Sequence, residues 1–129
     1  MLVEGFDGEA DIQSVPELLA KLRTERKDGL GAFSLWGTNR TSLAVMIRGD
    51  LAFVYFFPDD EGNHPGYEPT GMTPPGSPSS VFFLQTCGTT ANGFDIPADY
   101  LVSSEAAYTA AAEYFEKQVL PPAITWLEL

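Results

Sequence analysis

One histidine, one cysteine and a dense patch of carboxylates are the groups in this 129-residue chain whose types invite chemistry. His64 sits inside an acidic, Pro- and Gly-rich stretch, with Asp59, Asp60, Glu61 and Glu68 within a few residues of it. A metal centre needs several ligands converging on one ion. Here His64 has no second histidine, Cys87 no second cysteine, and neither a CxxC nor an HExxH spacing occurs. A calcium loop fails on its own arithmetic: placing Gly62 at the sixth position puts Phe57 at the first, where a carboxylate is required. No Gly-x-Ser-x-Gly elbow, Cys–His signature or phosphate-cradling Gly-rich loop with a following Lys-Ser/Thr appears, and no cofactor is implied. Asp59 and Glu68 could form an acid–base pair only if their surroundings tuned them, whereas acids this dense on a Pro-rich loop are ordinarily solvated. A small carboxylate- or His64-dependent hydrolase therefore stands as an alternative reading. The plainer one makes His64, which precedes Pro65, a turn residue.

What must position these groups is legible from pattern. The run Leu51 to Phe57 is the most strand-like in the chain, and it delivers the acidic loop to an edge. Gly49-Asp50, between Arg48 and Leu51, is a two-residue hairpin signal with Gly first. The register then follows, because opposed residues share a face. One face collects Ile47 with Ala52, Val45 with Val54 and Leu43 with Phe56. The other collects Arg48 with Leu51, Met46 with Phe53, Ala44 with Tyr55 and Ser42 with Phe57. The aliphatic face suits a cover of helices. The second face, with Phe53, Tyr55 and Phe57 in a row, also needs a cover, for which the long segment from Pro58 to Ser80 is the expected candidate.

The remaining elements are read in order. Leu2 to Asp7 predicts a first strand closed by Gly8. Ser14 caps a helix with Pro16 in its first turn and Glu17 as the reaching-back partner. Val15, Leu18, Leu19 and Leu22 form its apolar stripe, and Lys21, Arg23, Arg26 and Lys27 are expected on its remaining surface. Ala32 to Trp36 and Thr41 to Arg48 predict strands. Val81 to Gln85 predicts another, Cys87 to Gly93 a polar turn, and Phe94 to Val102 an extended segment that Pro97 keeps at an edge or off the sheet. Ser103 or Ser104 opens a second helix through about Gln118, with Tyr108, Ala111, Ala112 and Phe115 along one side. Pro121-Pro122 stops it before a final strand from Ala123 to Glu128. The expected fold class is α+β: a mainly antiparallel sheet of about five to six strands with two helices on one face, in one domain over residues 1–129.

Composition narrows the function classes. Eighteen acids against seven bases give a net charge of −11, which argues against nucleic acid or an anionic membrane as partner and allows a basic protein. No apolar window is long enough for a transmembrane helix, and acids occupy the N-terminus where a signal peptide would carry lysines. The expected location is cytoplasmic, in keeping with a single cysteine. With chemistry receding, a surface remains. Trp36, Tyr67 and Phe56 or Phe57 supply aromatic anchors of the kind interfaces use. Asp59, Asp60, Glu61 and Glu68 supply a negative rim that can steer a basic partner, with His64 among them.

Three blocks carry a family resemblance: Leu51 to Gly71 (strand, acids, then His-Pro-Gly-Tyr), Phe94 to Val102 (Ile-Pro-x-Asp-x-Leu-Val) and Ala107 to Glu128 (alanine-rich helix, Pro-Pro, then Ile-Thr-Trp-Leu-Glu). With the opening helix they resemble the type 1 immunity proteins of bacterial polymorphic toxin systems. The resemblance implies a role: binding and neutralising a cognate secreted toxin domain, prominently a zinc-dependent nucleic-acid deaminase, by blocking its substrate cleft inside the producing cell. It implies no catalytic residues. Expected partner-binding residues are Trp36, Asp59, Asp60, Glu61, His64, Tyr67 and Glu68, on a monomer or weak dimer. An adaptor that self-associates through its apolar sheet face is a further alternative.

Overall fold

The computed structural model describes residues 1–87 and 90–129, and side chains outside 86–92. A central antiparallel meander organises the chain: β3 (Leu30–Trp36), β4 (Ser42–Arg48) and β5 (Leu51–Phe57) pair in sequence order. The β4–β5 register is the one the turn implied, from Arg48 opposite Leu51 to Ser42 opposite Phe57. Gly49 has φ +59°, while Asp50 stays out of the positive-φ region, so the glycine occupies the position of the turn that a side chain would strain.

The meander is extended at both edges. On one side β1 (Leu2–Gly5) pairs with β3, and β2 (Gly8–Asp11) pairs with β1. On the other side β6 (Tyr67–Pro69) pairs with β5, and β10 (Trp126–Glu128) with β6. The two-residue β9 (Val102–Ser103) adds to β5 at Leu51 and Ala52. Every ladder in this eight-stranded sheet is antiparallel, so the expected class holds with more strands than expected.

Several boundaries differ from the expectation, each for a tertiary reason. Gly8 opens a second strand instead of closing the first. The turn at Phe6 and Asp7 is tied to the Glu25 carboxylate, which accepts the Phe6 N–H at 3.0 Å and the Lys21 ammonium at 2.8 Å. Helix α1 spans Val15–Thr24, with Ser14 accepting from the Glu17 N–H and Glu17 from the Gln13 N–H. Arg26 and Lys27 lie beyond its end. Arg26 turns back to donate to the Leu22 and Glu25 carbonyls at 2.6 and 2.8 Å, which satisfies acceptors the helix leaves open. The final strand begins at Trp126 and not at Ala123.

Both helices cover the aliphatic face. Leu18 and Leu22 of α1, with Ala107, Ala110, Ala111 and Tyr114 of α2 (Ser104–Lys117), are buried against Leu43, Val45, Ile47, Val54 and Phe56. The buried stripe of α2 is centred on Ala107, Ala111 and Tyr114, with Ala112 and Phe115 only half-buried at its margin. Small alanines let α2 approach closely, and Tyr114 fills the remaining depth. Its hydroxyl meets the Thr41 hydroxyl at 2.7 Å.

The second face is covered by a different element from the one expected. β7 (Ser80–Cys87) and β8 (Thr90–Pro97) form a separate two-stranded sheet, paired from Ser80–Pro97 to Cys87–Thr90. Thr90 to Gly93 is thus strand, and the part of the predicted turn at residues 88 and 89 lies outside the described residues. Val81, Phe83 and Ile96 of this hairpin, with Leu101 beyond it, pack on Met46 and Phe53. The segment from Pro58 to Ser79 contributes β6 and is otherwise irregular. It is fastened by the Thr70 N–H to the Thr125 carbonyl at 2.9 Å and by Thr73 Oγ1 to the Ala98 carbonyl at 2.7 Å.

Candidate functional site

The hairpin β7–β8 covers only part of the second face, and beside it lies a groove of about 700 Å³. Cross-strand rows define its floor. One row runs Leu2, Trp36, Ser42, Phe57 across β1, β3, β4 and β5. The next runs Glu4, Ser34, Ala44, Tyr55 across the same strands. Pairing of Phe56 with Tyr67 brings Glu68 opposite Tyr55, so in this second row a carboxylate flanks the groove floor on each side, with Leu127 beyond Glu68 and Glu9 beyond Glu4. The third row, Ala32, Met46 and Phe53, lies toward the hairpin, whose Phe94 and Ile96 form the wall.

Side-chain size explains the shape. Ser34 and Ala44 stand in the middle of the second row, and their small volumes leave a trough between Trp36 on one side and Tyr55 and Phe57 on the other. The Tyr55 and Phe57 rings lie 4.7 Å apart at 42°, and Phe94 meets Phe53 edge-on at 6.5 Å. Trp36 and Phe57 remain 42% and 40% exposed, which for side chains of this size is area held in water by position alone. Gly66, with φ +119°, lies against Tyr55: a Cβ there would come within 2.3 Å of the ring. The Tyr55 hydroxyl donates to the Pro65 carbonyl, which fixes the ring as one side of the trough.

The electrostatics follow from burial. Desolvation pushes the Glu68 carboxyl above its ordinary range, with no offsetting cation or hydrogen bond among the described residues. The Tyr55 phenol is pushed up by desolvation first and by the Glu68 charge second. An apolar trough with an under-compensated carboxylate at its margin favours a cation that arrives with apolar area around it.

The seven residues expected to bind a partner divide into three groups. Trp36 and Glu68 line the groove together. Asp59, Asp60 and Glu61 sit on the loop after β5, where Arg40 of the β3–β4 turn pairs with Asp60 at 2.8 Å and with Glu61. Asp59 accepts the Glu61 N–H at 2.6 Å. His64 and Tyr67 turn toward the helix-covered side. Their rings stack at 5.0 Å and 9°, and Tyr67 packs on Phe56. His64 Nδ1 accepts the Gly66 N–H at 2.9 Å, so its Nε2 carries the proton and donates to Glu128 at 2.8 Å.

Sequence reasoning placed Ala44 and Tyr55 on this face through the β4–β5 register without naming them as binding residues, and missed Glu4, Ser34 and Phe94. Glu4 and Ser34 share the groove face by register with Ala44 and Tyr55. Pairing β1 with β3 would have exposed that alignment. Phe94 could not be found without recognising β8 as a strand. Among the described residues no group of three or more His, Cys, Asp and Glu is placed to hold a metal ion. No helix of the described residues is long and apolar enough to cross a membrane. No protein-family model and no curated protein matches the chain.

Proposed function

We propose that the protein is an immunity protein: a stoichiometric, non-catalytic inhibitor that binds a basic toxin domain inside the producing cell and blocks its substrate cleft. A nucleic-acid deaminase is the toxin class the sequence resemblance favours. The observation that carries the reading is the aromatic groove lined by Glu4 on one side and Glu68 on the other, on a chain of net charge −11. Exposed Trp36 and Phe57 are the kind of anchor that dominates protein interfaces. A toxin that must hold a nucleic-acid backbone presents Lys and Arg at its cleft, and an acidic surface both steers toward such a cleft and competes for it. Protection at low toxin copy number calls for nanomolar affinity, about 12 kcal/mol.

The test is capture of the toxin domain encoded next to this chain, followed by growth rescue. Co-expression restoring growth, with a 1:1 complex by light scattering, is the expected result. A purified toxin that remains fully active with the protein in excess overturns the reading.

A further inference from the structure

We infer that the groove binds an extended, arginine-bearing segment of a protein partner, with the guanidinium stacked on the Tyr55–Phe57 pair and ion-paired to Glu68. The inference rests on the proposed function in taking the occupant to be protein, and adds which surface docks and what chemistry it reads.

Three observations favour this surface over the acidic loop. The loop's charge is already engaged: Arg40 takes Asp60 and Glu61, and Asp59 is turned inward to a backbone N–H. The groove has the opposite character. Glu68 is partly desolvated with no cation beside it among the described residues, so an incoming positive charge completes a pair that the fold leaves open. The geometry also selects the kind of cation. Two tilted rings 4.7 Å apart beside a carboxylate offer a face for a planar, weakly hydrated guanidinium and an acceptor for its N–H edge. A lysine's compact ammonium uses the carboxylate but not the stacking.

The trough sets the rest of the occupant. Four strand spacings separate β1 from β6, about 19 Å at the usual interstrand distance, which suits about six residues of extended chain. Ser34 and Ala44 leave room for a backbone or a small side chain over the middle of the floor. Trp36 takes an apolar neighbour of the arginine. A nucleic-acid strand would meet carboxylates here where it needs cations.

The experiment uses the full chain with the peptide acetyl-Leu-Gly-Arg-Gly-Leu-amide, followed by NMR through the Trp36 indole and the backbone amides of residues 34–36 and 55–57. The expected result is saturable shifts confined to those signals, with affinity at least ~5-fold weaker for the citrulline peptide, which keeps the shape and loses the charge. Glu68→Gln is expected to weaken the arginine peptide to the same degree, and the double variant Asp60→Asn, Glu61→Gln to leave it within ~2-fold, since exposed paired acids contribute little. Equal binding of the citrulline peptide, shifts centred on residues 59–63, or no shifts at millimolar peptide would each overturn the inference. So would groove signals that move on dilution of the protein alone, because a second copy would then be the occupant. Toxin capture separates this inference from the proposed function. Undiminished capture by the double variant Trp36→Ala, Glu68→Gln removes the groove and keeps the immunity role. Peptide binding without any toxin capture keeps the groove and removes that role.

Discussion

Glu68 stands opposite Tyr55 across the β5–β6 pair, and its charge adds to burial in holding the Tyr55 phenol above its ordinary pKa. The carboxylate itself is raised by the same partial burial. A raised acid binds its proton more tightly in the folded state than in the unfolded one. Its favourable contribution is therefore complete below the unfolded carboxyl pKa, about 4.3, and is lost as pH rises through the higher folded value. Glu68→Gln mimics the protonated form. It is expected to melt with the wild type at pH 4 and above it at pH 7, in scans at matched ionic strength. A variant less stable at pH 7 would mean that the carboxylate is held by a partner.

Replacing Trp36 or Phe57 by Ala should separate binding from folding. Both side chains are substantially exposed, so each change should shift unfolding free energy by no more than about 1 kcal/mol. Loss at a docking anchor should reach about 2 kcal/mol, roughly 30-fold in affinity. Phe56→Ala is the contrast. That neighbour is 4% exposed in the helix-side core, and its truncation is expected to cost about 3–5 kcal/mol in urea unfolding.

How far the sequence disclosed all this depended on whether the information was local. The β4–β5 hairpin was legible because a Gly-first turn and strict alternation fix register within a dozen residues. The cap at Ser14 is local too. The first hairpin was not, because its turn at Phe6 and Asp7 is anchored by Glu25 from the end of α1. The five alanines of α2 blur its periodicity: Tyr108 and Ala111 are buried as expected, but the depth expected at Ala112 and Phe115 falls instead to Ala107 and Tyr114. The acidic loop was visible, but its pairing to Arg40 crosses twenty residues. The groove was visible only in part. Its aromatic floor follows from register, while its wall requires knowing that β7 and β8 leave the main sheet and fold over it.

Arg40→Ala should loosen the loop after β5 without unfolding the protein. The Glu61 amide, which donates to Asp59 inside the loop that Arg40 clamps, is expected to exchange faster with deuterium, while the melting temperature stays close to wild type. Freed from Arg40, the acids should also raise the association rate with a basic toxin domain. Charge reversal at Asp59, Asp60 and Glu61 should lower that rate, each effect fading as salt increases.

Gly37→Ala should be destabilising although the position lies at the end of a strand. A Cβ there would come within 2.5 Å of the Tyr114 hydroxyl, 2.7 Å of Asn39 Oδ1 and 2.9 Å of Gln118 Oε1. Overfilling of this kind is expected to cost about 1–3 kcal/mol. Tyr114→Phe removes the hydroxyl that meets Thr41 and should cost about 1 kcal/mol by itself. In the Tyr114→Phe background the Gly37→Ala penalty should shrink, a coupling that a double-mutant cycle in urea reads directly.

The wall of the groove is a two-stranded sheet with no strand ladder to the floor among the described residues. It rests on Met46 and Phe53 through side-chain packing, with the Arg48 guanidinium donating to the Phe82 carbonyl at 3.2 Å. A displacement of this wall relative to the floor would therefore slide apolar surfaces past one another without breaking a strand pair between them. If the groove holds the segment proposed above, this construction would tolerate drift in that segment's bulk. A partner that diverged in size would call for repacking a few wall residues while the sheet beneath keeps its register.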